Sequence, residues 1–313
     1  MSSLINVYSP LNAPILPPAP IVMHRHYPAS ADGFVEHLTG FVQYIESLGQ
    51  PNAPLIRHIM RSQQRYSVHT DPAPGPNLWA WVKQVSGILF YPDGNVLDPF
   101  GRTLVHPDPT RLSSDAAIPY SESSLSRKKK NEAVLKAMGI ASSLLPLPDG
   151  AEIRVRAMPE IWQRAQAAGV VGLRVLAWKQ KRPFTLPVKL LERDPGLTVL
   201  KEQERAFVLA KTLDPKLLLN FSGHEEFAFT LAWALDLHAH IYLKEKADPD
   251  CTWLQYEPQS IRSVDQILDQ ADLYARVYAL AQLEPSEAFK IQSRWEALVW
   301  LCQMSDWDCK IGF

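Results

Sequence analysis

The stretch "GHEEFAFTLAWALDLHAHIYL", residues 223–243, decides how the second half of the chain folds. Between Phe227 and Leu237 nearly every residue is apolar. A helix that is apolar on all sides has to be covered by other helices. Glu225 and Glu226 stand just before it, where carboxylates interact favourably with the N-terminal end of a helix dipole. We therefore predict a central, buried helix at this place.

Three further segments carry apolar residues at helical spacing and supply the covering helices. They are "PEIWQRAQAAGVVGLRVLAWKQ" (159–180), "SVDQILDQADLYARVYALAQL" (263–283) and "SEAFKIQSRWEALVWLCQM" (286–304). Small residues such as Gly172 in the first of them would let another helix approach closely. Helices of this kind pack into a bundle-like core. The residues expected to be buried are Phe227, Leu231, Leu235, Trp295 and Leu298.

The first half of the chain has the mixed pattern of a small α/β domain. Short apolar runs, "INVYS" (5–9) and "IVMHRHYP" (21–28), predict strands. The apolar run "GILFY" (87–91) is followed by the turn "PDGN" and by "VLDPFGRTLV" (96–105), which is the pattern of a β-hairpin. Helical spacing between these runs, over residues 29–49, predicts a helix on one face of the sheet.

These patterns together predict an α+β chain with a small N-terminal α/β domain and a larger, all-helical, bundle-like domain. The segment "PDPTRLSSDAAIPYSESSLS" (107–126) is rich in Pro, Ser and Asp and is typical of a linker. We place the α/β domain at residues 1–110, the linker at 111–126 and the helical domain at 127–313.

Composition excludes some function classes and leaves many open. Of 313 residues 46% are hydrophobic and 21% are charged, which is typical of soluble globular proteins. A net charge of -1 gives no general attraction to nucleic acid or to anionic membranes. The lysine run Lys128 to Lys130 has no interleaved aromatic residues, so a solvated helix face is the favoured interpretation. We expect no nucleic-acid or membrane partner.

The cysteines and the N-terminus favour a cytoplasmic protein. Cys251, Cys302 and Cys309 form no CxxC pair, and an odd count without metal spacing suits a reducing compartment. The first residues lack the basic and apolar regions of a secretory signal. No apolar run reaches the length of a transmembrane helix.

The acidic residues that could form a functional site lie at the end of the helical half, in "RWEALVWLCQMSDWD" (294–308). Glu296, Asp306 and Asp308 could form a cation site, but hard cations need more oxygen ligands than this pattern supplies. The favoured interpretation is a structural turn, in which the aspartates accept backbone N–H bonds or pair with Arg276 or Arg294. Arg276 also has Asp272 four residues before it, on the same helix face.

Other candidate motifs are incomplete. His24 and His26 of "HRH" would lie on one face of a strand, but no third metal ligand stands nearby. The "HEE" of residues 224–226 lacks the second histidine of a zinc-protease helix. No nucleotide-binding, kinase or nucleophile-elbow motif is present in the sequence. We therefore predict no catalytic residues, no metal and no cofactor.

The helical half resembles a bacterial family known as domain of unknown function 4272. The similar stretches are "RKKKNEAVLKAMGI" (127–140), "EEFAFTLAWALDL" (225–237), "SVDQILDQADLYARVYAL" (263–280) and "RWEALVWLCQMSDWD" (294–308), over residues 127–313. Two positions depart from the family pattern, with Asp236 in place of Gly and His224 near a usual Arg. The resemblance implies a helical domain and no settled activity.

Two function classes remain open, and a structural or regulatory homodimer is a third, less favoured alternative. The first is a non-catalytic protein that binds another protein, and its most concrete form is an immunity protein that neutralises a bacterial toxin. Its expected contact residues are Trp79, Trp81 and Tyr91, which flank the predicted hairpin, with burial in the core as the alternative for all three. The second class is a hydrolase-like enzyme with an unrecognised carboxylate and histidine site. A pocket with convergent ionisable groups of perturbed pKa would indicate the enzyme.

Overall fold

The computed structural model describes residues 3–50, 52–70, 75–194, 196–243, 247, 251–279 and 283–304. Its described residues divide into two compact units. One, called the sheet unit here, comprises Met1–Lys128 and Leu145–Arg154. The other, the helical unit, comprises Lys129–Leu144 and Val155–Phe313. The α+β class predicted from the sequence is confirmed, while the predicted domain boundaries stay a prediction.

The sheet unit contains a sheet of six strands: β1 Ser3–Ser9, β2 Val22–Pro28, β3 Gln64–Thr70, β4 Ile88–Phe90, β5 Val96–Leu97 and β6 Thr103–Val105. All neighbouring strands are antiparallel, and their order is β2-β3-β1-β4-β5-β6. The predicted hairpin is the pair β4–β5, in which Leu89 lies opposite Leu97.

Helices cover both faces of this sheet, which corrects the prediction of a helix on one face. Helices α1 (Phe34–Ser47) and α2 (Ala53–Met60) pack with Tyr8 and Ile88 on one face. Helix α3 (Pro76–Gln84) packs on the other face, where Trp81 meets the β1 residues Ile5 and Val7. Side chains alternate between the two faces along a strand, so β1 contributes apolar side chains to the cores on both faces. Each of these apolar faces is covered by its own layer of helices.

The helical unit is helical in all the regular elements that the structure describes. The helices are α4 Glu122–Ala137, whose later part belongs to this unit, α5 Met158–Lys179, α6 Val188–Arg193, α7 Glu202–Leu209, α8 Pro215–Phe221, α9 His224–Ala234, α10 Val264–Tyr278 and α11 Pro285–Leu301. Side chains of α5, α6, α7 and α8 form an apolar core. Helix α9 packs against α5 and α11, and α11 packs against α10.

The predicted central helix is α9, and α5 approaches it closely at Gly172. A Cβ atom at Gly172 would lie 2.9 Å from the Cα and N atoms of Glu225, so only glycine fits this contact. Leu231, Leu235, Trp295 and Leu298 are buried as predicted. Phe227 is only half-buried, which corrects that part of the prediction, because its ring packs against the Arg164 guanidinium and Trp300.

The described helices include none that is both long enough and apolar enough to cross a lipid bilayer.

Candidate functional site

The acidic ending lies partly outside the described residues. Asp306 and Asp308, like Cys309, belong to the segment that the structure does not describe, so the predicted turn stays a prediction. Glu296 is exposed on α11, where it accepts a hydrogen bond from the Gln292 amide at 2.8 Å.

Arg276 and Asp272 form the predicted pair within α10. The Arg276 Nε and Nη2 atoms donate to the two oxygens of Asp272 at 2.7 and 2.9 Å, and both residues are fully buried. Arg276 also donates to Glu132 of α4 at 3.2 Å and to the Leu144 carbonyl oxygen at 2.8 Å. Asn131 donates to Asp272 at 2.9 Å. This network, with its bidentate Arg276–Asp272 pair, connects α4 to α10.

Arg294 of α11 finds its partner at the start of α9. Its guanidinium donates to Glu226 Oε2 at 2.7 Å through Nε, and its Nη2 lies 2.6 Å from the same oxygen. It also donates to the Tyr274 hydroxyl at 2.8 Å and to the Tyr242 carbonyl oxygen at 2.9 Å. Burial raises the pKa of Glu226, and the Arg294 charge offsets only part of that rise.

His224 belongs to a second ionic group around Glu204 of α7. Arg164 donates to Glu204 Oε1 at 2.6 Å, and His224 Nε2 lies 3.6 Å from the same oxygen. The Lys201 backbone N–H donates to Glu204 Oε2 at 3.0 Å. Burial alone would raise the pKa of Glu204, but the His224 and Arg164 contacts outweigh it and lower the pKa to about 2.

The "HEE" residues therefore each have a partner of opposite or complementary character. His224 meets Glu204, Glu225 meets Lys179 at 3.4 Å, and Glu226 meets Arg294. The Arg294 guanidinium favours the ionised form of Glu226, although burial still leaves the pKa of this carboxyl raised. These three residues lock the start of α9 to the surrounding helices.

The histidines of "HRH" lie in β2 and contact strand β3. His26 Nε2 is 2.8 Å from the Gln64 side-chain oxygen, and its ring stacks on Tyr66. The His24 ring meets the edge of His69 at a centroid distance of 5.4 Å. Within the described ranges, no group of three or more His, Cys, Asp or Glu side chains is placed to hold a metal ion.

One acid–base cluster of the sheet unit was not foreseen. Glu152 is buried 3.5 Å from the Arg61 Nε atom, and Arg61 Nη2 lies 3.2 Å from His58 Nδ1. Neither Glu152 oxygen has a hydrogen-bond partner in the described part of the chain, and the same holds for His58 Nε2. Burial raises the pKa of Glu152 and lowers that of His58 well below its usual range. No local sequence pattern joins these residues.

The three aromatic residues predicted as contacts belong to the core of the sheet unit. Trp81 is 1% exposed and donates its indole N–H to the Ile15 carbonyl oxygen at 3.0 Å, so it is not an accessible anchor. The alternative of burial is therefore the correct one for Trp81. Trp79 and Tyr91 are half-buried against the same core, and burial raises the pKa of Tyr91 to about 12.

Trp79 nevertheless supports an exposed aromatic residue on the turn between β5 and β6. Asp98 is fully buried and accepts hydrogen bonds from the backbone N–H groups of Phe100 and Arg102 at 2.8 and 3.0 Å. Gly101 has a φ of 77°, and a Cβ atom there would lie 3.2 Å from the Trp79 ring. This rigid turn presents Phe100 with 63% of its surface exposed.

Phe100 lies at the edge of an open groove of about 840 Å³ in the sheet unit. The Lys83 ammonium lies 5.6 Å from the Phe100 ring centre and the Arg102 guanidinium 4.7 Å. Leu125 adds a second exposed apolar side chain, 48% accessible. The apolar lining residues include Pro54, Phe100, Leu104, Ile118, Leu125 and Pro146. We call this feature the Phe100 groove; the sequence signal for it is an aromatic residue inside the turn "DPFG".

Comparison with known proteins identifies the helical half. No curated protein and no solved structure matches this chain. The family model described as domain of unknown function (DUF4272) matches residues 127–310, which are more than half of the 313 residues. The resemblance drawn from the four sequence stretches is confirmed. The chain is a member of the DUF4272 family.

Proposed function

We propose that this chain is a non-catalytic, cytoplasmic protein that binds another protein through the Phe100 groove. The observation that carries the proposal is that Phe100, on its hydrogen-bonded turn, and Leu125 are both exposed and line the same groove. Large apolar side chains exposed in one groove are typical of contact surfaces. The partner would insert apolar side chains between them, and Lys83, Glu122 and Lys128 on the groove lining offer polar contacts around that insertion.

The construction of the turn favours tight binding. Asp98 and Trp79 hold the loop in one conformation, so a partner does not have to order it. A preorganised contact loses less conformational entropy on association than a flexible one. Aromatic residues in such positions often contribute most of the binding free energy.

The more specific form of the proposal is an immunity protein that neutralises a bacterial toxin. It rests on analogy with small bacterial families of unsettled activity, which commonly serve as such inhibitors. The buried thiols of Cys251 and Cys302 are consistent with a reducing compartment. This form predicts that co-expression with the partner restores growth, and that a Phe100→Asp variant does not.

The direct test is affinity capture from the native cell with the intact chain. The variant Phe100→Asp places a charge in the groove and is expected to reduce capture of the partner by about tenfold or more, since a buried aromatic contact contributes about 2 kcal/mol or more. The matched control is Val35→Asp, because Val35 is an equally exposed apolar residue, 61% accessible, on helix α1. Equal capture by the two variants would refute the groove as the contact surface.

A hydrolase-like enzyme is the second candidate, and one observation favours it. Glu152 is a buried carboxyl of raised pKa near His58 and Arg61, which is the kind of group that general acids use. Against this, neither Glu152 nor His58 lines the Phe100 groove. Turnover of an ester, amide or phosphoester by the purified chain that is abolished in Glu152→Gln would replace the binding proposal.

A further inference from the structure

A second concave site lies in the helical unit. It is a cleft of about 420 Å³, within the range of small-ligand sites. Five of its eight lining residues are cationic and none is acidic. The lining is completed by Ala177, Trp178 and Leu213, and the cations are Arg174, Lys179, Lys181, Arg182 and Lys211. We call it the basic cleft.

The end of helix α5 brings three of these cations together. After Lys179 the chain reverses at Lys181, which has a φ of 53°. The backbone N–H of Lys181 then donates to the Trp178 carbonyl oxygen, and that of Arg182 donates to the Ala177 carbonyl oxygen, both at 3.0 Å. This turn brings the backbone of Lys181 and Arg182 back toward the C-terminal end of α5.

The helix dipole explains only part of this charge. Cations near a helix C-terminus are favourable within its last turn, which accounts for Lys179 and the two residues after it. Arg174 lies more than one turn earlier, and Lys211 stands in the segment between α7 and α8. Lys179 pairs with Glu225, but Arg174, Lys181 and Lys211 bring further positive charge to the cleft from α5, from the turn after it and from the segment between α7 and α8, and an anionic ligand would complement that charge.

Arg174 is held in place for such a ligand. Its Nη2 donates to the Ala210 carbonyl oxygen at 2.6 Å, and its guanidinium lies 5.0 Å from the Phe184 ring centre. A guanidinium held in this way on the lining of a cleft is suited to an oxyanion such as phosphate.

Trp178 adds an aromatic surface to the same cleft. Its side chain is 48% exposed although it is large and apolar. Indole rings stack on flat aromatic ligands, and nucleobases are the common partners of this kind beside cationic groups that contact phosphates. We propose that the basic cleft binds a small ligand with at least two phosphate groups and an aromatic base, that is, a nucleoside diphosphate.

Calorimetry on the purified full chain at low salt tests this proposal, with ADP, inorganic pyrophosphate and adenosine as separate probes. We expect one equivalent of ADP and one of pyrophosphate to compete for the same site, both weakening as salt rises, and no measurable binding of adenosine. Trp178→Ala should weaken ADP about tenfold and leave pyrophosphate within about twofold, since only the base stacks on the indole.

A charge-removing pair of variants completes the experiment. The double variant Lys181→Asn/Lys211→Ala should weaken both ligands by about tenfold or more, and asparagine keeps the left-handed backbone accessible at position 181. Lys129→Ala/Lys136→Ala removes two exposed lysines of α4 and should change neither affinity.

Absence of ADP and pyrophosphate binding by the unaltered chain would overturn this proposal. It would leave the proposed binding of a protein at the Phe100 groove unaffected. Equal effects of the two double variants would also overturn it. Tighter binding of an oligoglutamate peptide or of single-stranded RNA than of ADP would assign the cleft to an acidic macromolecule instead.

Discussion

Two buried glutamates, one in each unit, have opposite electrostatic surroundings. The Glu204 side chain is 5% exposed and the Glu152 side chain 3%. Glu204 has Arg164 at 2.6 Å and a backbone N–H at 3.0 Å, and its pKa is lowered to about 2. Glu152 has its nearest cationic atom at 3.5 Å and accepts no hydrogen bond from the described residues, and burial raises its pKa.

The difference shows that hydrogen-bonded partners can hold a buried carboxyl in its ionised form, as at Glu204, although burial still leaves the pKa of Glu226 raised beside Arg294. In the helical unit Glu226 of α9 and Glu204 of α7 pair with arginines of neighbouring helices, which joins those helices. In the sheet unit neither oxygen of Glu152 has a hydrogen-bond partner among the described residues. A buried carboxyl without such a partner bears a larger desolvation cost than one that is hydrogen-bonded.

The largest effect is expected from breaking the buried ion pair of Arg294 and Glu226. Arg294→Met leaves Glu226 buried without its cation and should lower the free energy of unfolding by about 3–5 kcal/mol. Lys179→Met is the matched control, because Lys179 pairs with the neighbouring Glu225 at 3.4 Å but is 46% exposed, and it should change stability by less than about 1 kcal/mol. Urea unfolding at neutral pH measures both. Similar losses in the two variants would contradict the distinction between buried and exposed pairs.

Glu204→Gln should cost about 2–3 kcal/mol at neutral pH, from a pKa that moves from 4.5 to about 2. A lowered carboxyl pKa contributes stability that is fully present above the unfolded-state value. It is lost as pH falls through the folded-state value. The stability gap between wild type and variant should therefore close between about pH 4.5 and pH 2, as thermal unfolding across that range would show. A gap that stays constant over this range would mean that charge is not its source.

Gly172→Ala tests the backbone contact that positions the α9 carboxylates. The added Cβ atom would meet the Glu225 backbone at 2.9 Å, and overpacking of this kind costs about 1–3 kcal/mol. Gly40→Ala in α1 meets nothing within 4 Å and should instead stabilise by about 0.5–1 kcal/mol through helix propensity. Thermal unfolding of the two variants gives the comparison. Stabilisation by both would show that α5 and α9 are not in close contact.

The smallest effect is expected at Glu152. A raised carboxyl pKa means that the folded state holds its proton more tightly, so the stability penalty is absent below about pH 4 and grows as pH rises through the folded-state pKa. Glu152→Gln removes that penalty and should raise stability at neutral pH by up to about 1 kcal/mol. Urea unfolding of the wild type and the variant, at neutral pH and below about pH 4, checks this. A loss of several kcal/mol at neutral pH would show that Glu152 and Arg61 form a favourable pair.

How far the sequence predicted these features depends on the distance along the chain. Asp272 and Arg276 stand four residues apart on one helix, so their pairing follows from helical geometry. The hairpin β4–β5 follows from a turn motif between apolar runs. Glu152 and Arg61 meet across the fold, and no local pattern places them together.

The candidate sites were harder to predict than the fold, for the same physical reason. The basic cleft joins the end of α5 to Lys211, which belongs to a different segment. The sequence suggested Trp79, Trp81 and Tyr91 as contact residues, whereas the structure buries Trp81 in the core and exposes Phe100 at the surface. Burial depends on tertiary packing, which residue type alone does not give.

The proposed function is tested most directly by site-specific photo-cross-linking in the native cell. A photoreactive phenylalanine analogue placed at position 100 of the intact chain should yield one dominant cross-linked protein. The same analogue at position 35, which is equally exposed on α1, should not yield it. Cross-linking of one partner from position 100 alone is the predicted result. The same partner captured from both positions, or from position 35 alone, would contradict binding through the Phe100 groove.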